Sequence, residues 1–316
     1  MAQKSLMDCM AIAPEKVSNI IVDFLQKKVQ NKNGIVLGLS GGVDSAVTAT
    51  LAAKAAGHSK VYALHLFDRD SQKKFLGHAR RIADRLEINF EVREISPSVR
   101  ERGTYEPLIM RLVILSQALN RLIVSSLRRL YYLISRESPY VLSLKRGEPA
   151  KYKGNKTIYD ALVGAIEGGF DVRHICRREI LEAYASEKNL LLVGAANKSE
   201  SLVGWFVKDG IDDLPIEPLL GLYKNQVRQL ARFLDIPSEI MAEAPSPDMF
   251  RGVTDELIIG FPYEKIDKVF YVLEHGLDEK IAFDEGITPN EFEAIKNLNR
   301  LSVWKRENKH EFPSFG

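Results

Sequence analysis

Gly34-Ile35-Val36-Leu37-Gly38-Leu39-Ser40-Gly41-Gly42-Val43-Asp44-Ser45 runs from an unbroken apolar stretch into a glycine pair flanked by hydroxyls. A short strand without polar alternation is the kind buried on both faces of a parallel sheet. Ala46 to Ala56, small and helix-favouring, continues the chain, so the order is strand, tight loop, helix. Glycines at that junction let the backbone approach a phosphate with no Cβ in the way. The helix behind them offers unpaired N–H groups and the positive end of its dipole. Ser40 and Ser45 add hydroxyl donors, and Asp44 is a candidate ligand for the magnesium that accompanies a triphosphate. The lysine of the ATPase P-loop is missing. On the residues alone, the loop is either a pyrophosphate grip or an ordinary turn capped by Ser or Asp.

Working outward, Val17, Ile20, Ile21, Phe24 and Leu25 predict an opening helix over about 14–30. Val61 to Leu66 is a second strand, about 71–87 a second helix, and Phe90 to Ile95 a third strand. The alternation resumes with a helix near 174–187 and the strand Leu190 to Val193. This is the pattern of an α/β fold, a doubly wound parallel sheet with helices on both faces. Residues from about 98 to 170 interrupt it. They hold an amphipathic helix over 107–135 and a basic, turn-rich piece from Lys145 to Lys156. We expect one domain over 1–316 with this stretch as an insertion, and a mostly helical chain after about residue 223.

Composition narrows the classes. The 44 basic and 42 acidic residues leave a net charge of +2, without the basic excess of a dedicated nucleic-acid binder. Cys9 and Cys176 form neither a disulfide framework nor a metal-ligand spacing, so a reducing cytosol is the expected compartment. No sustained apolar run follows Met1, so no signal peptide is expected. Arg111, Arg121, Arg128 and Arg129 break the apolar stretch at 107–135, which therefore falls short of the roughly 20 uncharged residues of a membrane span.

The second half carries further loops. Gly194-Ala195-Ala196-Asn197-Lys198-Ser199-Glu200 follows a buried strand, where ligands of open α/β sheets bind. Phe206-Val207-Lys208-Asp209-Gly210, Asp212-Asp213-Leu214-Pro215-Ile216-Glu217-Pro218-Leu219, Leu222 to Ala231, Pro245-Ser246-Pro247-Asp248-Met249 and Thr254-Asp255-Glu256 come next. The Ser40 loop resembles the PP-loop of the ATP pyrophosphatases, whose fold is Rossmann-like (adenine nucleotide alpha-hydrolase-like). Taken in order, the later segments resemble the ammonia-dependent NAD synthetase family, and the Lys305-Arg306 to Pro313 tail is similar to its basic, proline-ended terminus. The resemblance covers about residues 14–95 and 172–313.

The resemblance implies a two-step amidation. A substrate carboxylate, in the family that of nicotinic acid adenine dinucleotide, attacks the α-phosphate of ATP and expels pyrophosphate. Ammonia then displaces AMP. By matched position Ser40, Gly41, Gly42, Val43, Asp44 and Ser45 hold pyrophosphate, and Asp44 and Glu200 share magnesium. Lys198 and Lys208 face phosphate, Lys208 joins Asp44 and Glu200 in catalysis, and Ser246 sits in a closing loop. Arg177, Asp212 and Asp213 are candidates for substrate binding. The resemblance also implies a homodimer. No Cys/His pair in suitable context suggests a glutaminase, so ammonia is expected to be free or supplied by a separate glutaminase subunit, in the cytoplasm that the cysteine usage points to.

Departures from the family pattern fall on the substrate side. Ala195 and Val207 stand where the family has threonine, Gly210-Ile211 where it has Gly-Asp, and Leu66-Phe67-Asp68-Arg69-Asp70 replaces a proline-bearing turn. Arg173 stands in for one member of an arginine pair. These positions leave open a relative acting on a different acceptor. A sulfur-transfer reading rests on Cys176, whose neighbours Arg177 and Arg178 would lower a thiol pKa. A nucleotide sensor without chemistry is a third reading. His65 either contacts adenine or ribose or is satisfied by backbone. The helix at 107–135 is either a dimer element or buried within the monomer.

Overall fold

The computed structural model describes residues 5–107, 117–135, 137–146, 164–248 and 251–315. Among them, β1 (Ile35–Gly38), β2 (Val61–Phe67), β3 (Asn89–Glu94) and β4 (Leu191–Val193) form one all-parallel sheet in the order β3-β2-β1-β4. Ile35 is in register with Val61 on one side and Leu191 on the other. The chain thus steps outward from β1 to β3, then returns to place β4 on the other flank of β1. That reversal makes the carboxyl ends of β1 and β4 a topological switch point, where a crevice opens between diverging connections.

Strand side chains alternate between two apolar layers, as a pleated backbone requires. Ile35, Leu37, Val61, Ala63, Leu191 and Val193 pack with α1 (Pro14–Val29), α2 (Val43–Ala56), α3 (Lys73–Leu86) and a helix at 224–233. Val36, Leu64 and Leu66 face the opposite way, against Cys176, Leu181, Tyr184 and Ala185. The expected doubly wound arrangement is present. In α1, Val17, Ile21 and Leu25 lie four apart on one face. Ile21 and Leu25 are fully buried, each worth roughly 1.5–3 kcal/mol of transfer free energy. Pro14 starts that helix where its missing N–H costs nothing. Most of α2 is buried, and its small side chains allow the close approach.

The interrupting stretch is described as α4 (Gln117–Ser135) and α5 (Pro139–Arg146). Residues 108–116 of the expected 107–135 helix, and Lys145 to Lys156 beyond Arg146, lie outside the described residues. Next comes α6 (Ala165–Lys188), which starts earlier than the expected 174 because it runs through Gly168 and Gly169 without a break. The carbonyl of Gly169 accepts a bond from Arg173 within that helix. After β4 the chain is helical, as expected: α7 (Lys198–Val203), α8 (Lys224–Phe233), α9 (Asp255–Ile259), α10 (Tyr263–Glu274) and α11 (Pro289–Leu301). Val203, Ile259, Tyr263, Ile266 and Phe292 belong to a second apolar core beside the sheet. No helix among the described residues is long and apolar enough to cross a membrane.

Candidate active site

The Ser40 loop leaves β1 with its backbone bent by Gly41, whose φ is +92°. A Cβ there would meet the carbonyl oxygen of Phe75 at 2.3 Å, so glycine is needed for space as well as for conformation. Ser40 Oγ accepts from the Gly42 amide at 3.2 Å and lies 3.0 Å from Ser45 Oγ, which in turn donates to the Gly42 carbonyl at 3.0 Å. The hydroxyls therefore shape the loop as well as bordering the crevice. Asp44 stands in the first turn of α2 behind it.

The second loop follows β4. Gly194 donates to the Ile216 carbonyl at 2.8 Å, and Ala196 donates to Glu217 Oε2 at 2.8 Å. Glu217 is fully buried, and its other oxygen accepts the Leu214 amide at 3.1 Å. A Cβ on Gly194 would lie 2.0 Å from this carboxylate, so the glycine and the acid fit as a pair. Asn197 then caps α7: its side chain accepts from the Glu200 amide at 3.1 Å, and Glu200 Oε2 accepts from the Asn197 amide at 3.5 Å. This cap aims Glu200 back toward the first loop.

Asp44 and Glu200, from separate strand ends, converge on one ammonium. Lys224 Nζ bonds Asp44 Oδ2 and lies 3.0 Å from Glu200 Oε1. It also sits 5.2 Å from the ring centroid of Tyr263, whose hydroxyl donates to Asp255 at 3.2 Å. Burial opposes the charge on Lys224, but Asp44, Glu200 and Asp255 outweigh it and raise its pKa. Burial pushes the Glu200 carboxyl up, with Lys224 opposing. Asp255 is pushed up to about 6, again by burial against the pull of Lys224.

These groups close one end of a cavity of about 400 Å³. Ser40, Gly42, Val43, Asp44, Ser45, Glu200 and Ser246 all line it, as do Arg177 and Asp212. Gly41 forms the bend beneath. Ser246 Oγ donates to the Val253 carbonyl at 3.0 Å, and Asp248 fixes the same loop by accepting the Gln72 amide at 2.9 Å. Ala195, Val207 and Ile211 also line the cavity, so the altered positions make part of its wall apolar. Tyr140 and Ser143 of α5 and Asn120 of α4 bring the interrupting stretch into the same wall.

Lys208, Lys198 and Asp213 are engaged away from the cavity, whereas Arg177, Asp212 and His65 line it while bonded to protein groups. Lys208 pairs with Glu307 and donates to the Trp304 carbonyl at 3.2 Å. Lys198 pairs with Glu274 over the Tyr223 ring. Asp213 is buried and does not line the cavity; its Oδ2 accepts from Asp209 and Asn308, and its Oδ1 lies 3.0 Å from His310 Nε2. Arg177, mostly buried, donates to the Leu66 carbonyl at 3.1 Å, and Asp212 pairs with His174. His65 lines the cavity, with Nδ1 bonded to the Leu39 carbonyl at 2.8 Å. Arg173 forms no part of the cavity lining. It is buried between Asp68 and Asp70.

Cys176 corrects the sulfur reading. It lies in the apolar layer under the sheet, and burial pushes its thiol up. The adjacent arginines are committed elsewhere, Arg177 to Leu66 and Arg178 to Glu182 and the Asp213 carbonyl. A buried thiol without an activating partner is a packing group.

Comparison with known proteins fits this geometry. The NAD synthase family model matches residues 17–107 and 157–309. The chain belongs to the NAD synthase family. It is 31% identical over 284 residues to the NH(3)-dependent NAD(+) synthetase of Thermotoga maritima, covering 89% of this chain and 94% of that protein. With the enzyme of the same name from Coprothermobacter proteolyticus it shares 34% over 260 residues, 81% of this chain and 84% of the relative. Among solved structures, NMN synthetase from Francisella tularensis superposes with a TM-score of 0.67 at 24% identity, over 96% of this chain and 100% of that one. NH3-dependent NAD synthetase from Campylobacter jejuni gives 0.60 at 24%, over 95% and 99%. These two likenesses concern the fold. As a member of the NAD synthase family, the chain is an ATP-dependent carbon–nitrogen ligase.

Proposed function

We propose that the chain makes NAD from nicotinic acid adenine dinucleotide, ATP and ammonia, releasing AMP and pyrophosphate. The observation that carries this reading is the convergence of Asp44 and Glu200, from two strand ends at the switch point, on the mouth of the glycine-bent loop. In the first step the nicotinate carboxylate attacks the α-phosphate. The Ser40–Ser45 loop, with the N-terminus of α2, holds the departing pyrophosphate by backbone donors fixed in place beforehand. Lys224, rather than Lys198 or Lys208, is the ammonium nearest that loop's carboxylate. In the second step ammonia attacks the acyl carbon of the adenylate, and the apolar wall of Ala195, Val207 and Ile211 keeps water from competing.

Magnesium fits the donor set. Asp44 Oδ1 is buried without a hydrogen-bond partner. Among the described residues no cluster of three or more protein ligands occurs. Two carboxylates completed by phosphate oxygens is the usual way magnesium is held beside a nucleotide. When bound it would neutralise charge on the phosphates.

The chain forms one catalytic unit over 1–316, with the stretch at about 98–170 as an insertion whose Asn120, Tyr140 and Ser143 wall the cavity. Exposed Leu122, Leu130, Tyr132 and Leu133 on α4 support a homodimer, since apolar side chains grouped on one helix favour association. A cytoplasmic setting, and ammonia either free or from a separate glutaminase, complete the proposal. ATP–pyrophosphate exchange tests it. Exchange should depend on nicotinic acid adenine dinucleotide, and added ammonia should yield NAD and AMP in equal amounts. Exchange with another carboxylate, such as the mononucleotide, but none with the dinucleotide would reassign the acceptor.

A further inference from the structure

Lys224 does more than accompany the two carboxylates. It is almost fully buried, and its ammonium takes one oxygen from each: Oδ2 of Asp44 and Oε1 of Glu200. Its backbone is held just as firmly. The Lys224 amide donates to Ser199 Oγ at 2.8 Å, and Ser199 donates to Asp267. Asn225 gives Asp267 two further bonds, at 2.9 Å from its amide and 2.8 Å from its side chain. The start of α8 is thus tied to α7 and α10, and the ammonium cannot drift far from the pair. Of the four carboxylate oxygens, Glu200 Oε2 serves the α7 cap, and only Asp44 Oδ1 is without a partner.

We propose that Lys224 is the resident cation of the Asp44–Glu200 pair, so that a divalent ion binds there only together with the nucleotide's phosphates. One partner-free protein oxygen is a poor site for a hard cation that wants six or more oxygens. Phosphate oxygens supply the remainder, and their charge offsets that of the added metal. Without Lys224, two carboxylates would face each other with no counter-ion, an arrangement that itself recruits a cation. The inference rests on the ATP–magnesium reading above.

Free Mn2+ in solutions of the full chain, followed by electron paramagnetic resonance with and without a non-hydrolysable ATP analogue, tests it. After chelation by the analogue itself is subtracted with protein-free solutions, wild-type protein should bind Mn2+ at least about tenfold more tightly with the analogue than without. Lys224→Met should bind Mn2+ without the analogue at least about tenfold more tightly than wild type, and its lowered melting temperature should recover in Mn2+. Lys224→Arg should keep the wild-type dependence. The double variant Asp44→Asn with Lys224→Met, balanced in charge, should fold without metal and bind none. Equal Mn2+ affinity of wild type with and without the analogue overturns the proposal, even if Lys224→Met cannot be purified. So does a Lys224→Met protein that gains no Mn2+ affinity. No uptake by wild type even with the analogue defeats the metal reading on which the inference stands.

Discussion

The Arg173 guanidinium meets the Asp68 carboxylate with neither side chain exposed to solvent. Asp70 takes the other side of the same guanidinium, and the Tyr105 hydroxyl donates to Asp68 at 3.2 Å. Burial opposes the charge on Asp68, but Arg173 and Arg177 outweigh it and hold its carboxyl below the usual range. Asp70, by contrast, is raised by burial and by Asp68 itself. One arginine therefore serves two acids at the end of β2 and locks that end to α6. Arg173→Met would leave Asp68 without its ion-pair partner and Asp70 with Arg69 alone, and should cost about 3–5 kcal/mol of stability in chemical denaturation. Adding Asp68→Asn and Asp70→Asn should return part of the loss. A single variant as stable as wild type would show that the network adds nothing.

Two glycines separate conformation from crowding. Gly57 has φ of +88° with nothing within 4 Å of an added Cβ, whereas Gly41 at +92° would place one 2.3 Å from a backbone oxygen. Gly57→Ala should lose about 1–3 kcal/mol of stability and keep pyrophosphate exchange. Gly41→Ala must displace either the loop or the Phe75 backbone, so exchange should fall about 100-fold or more. Exchange rates and melting curves for both variants check this. Equal activities would remove the loop from the reaction.

The fold was legible because its signal is local. Ile35-Val36-Leu37 can only be a strand buried on both faces, and the glycines after it fix the turn. The convergence of Asp44 with Glu200 was legible for a related reason, since each acid lies within one helical turn of a strand-end loop. Side chains that reach outward were not. Lys198 and Lys208 were expected at phosphate, yet long flexible stems let them choose Glu274 and Glu307, far away in sequence. Lys224 lies inside the Leu222 to Ala231 segment with no local mark that sets it apart. Its role depends on α7 and α10 meeting α8, which no local pattern encodes. Glu217 is likewise a tertiary residue: it lies in the Asp212 to Leu219 segment, but its fit against Gly194 depends on two distant loops meeting.

Cys176 should prove dispensable for chemistry. Cys176→Ala removes one sulfur from an apolar layer, a loss of about 1 kcal/mol or somewhat more, and should leave exchange and amidation intact. An aromatic disulfide reagent should label exposed Cys9 quickly and Cys176 only as the protein unfolds. Rapid labelling at both positions, or loss of turnover in the alanine variant without loss of folding, would restore the sulfur-transfer reading.

Asp248 gives a pH prediction with a definite sign. Burial raises its carboxyl to about 6, although the Gln72 amide donates to it. An acid whose folded pKa lies above its unfolded one favours the native state when protonated. That stabilisation is complete below about pH 4 and is lost as pH rises through about 6. Asn keeps an acceptor for Gln72 without the charge, and it tolerates the φ of +51° found at this position. Asp248→Asn should therefore raise the melting temperature at pH 8, with a gain of about 1–3 kcal/mol that shrinks toward pH 4. Because the residue lines the cavity beside Ser246, pyrophosphate exchange should be followed in the same protein. A gain in stability accompanied by slower exchange would mark the Asp248 charge as held for function at a cost to the fold. Equal stability of the two proteins at pH 8 would mean that the half-buried carboxylate is already compensated by its donors.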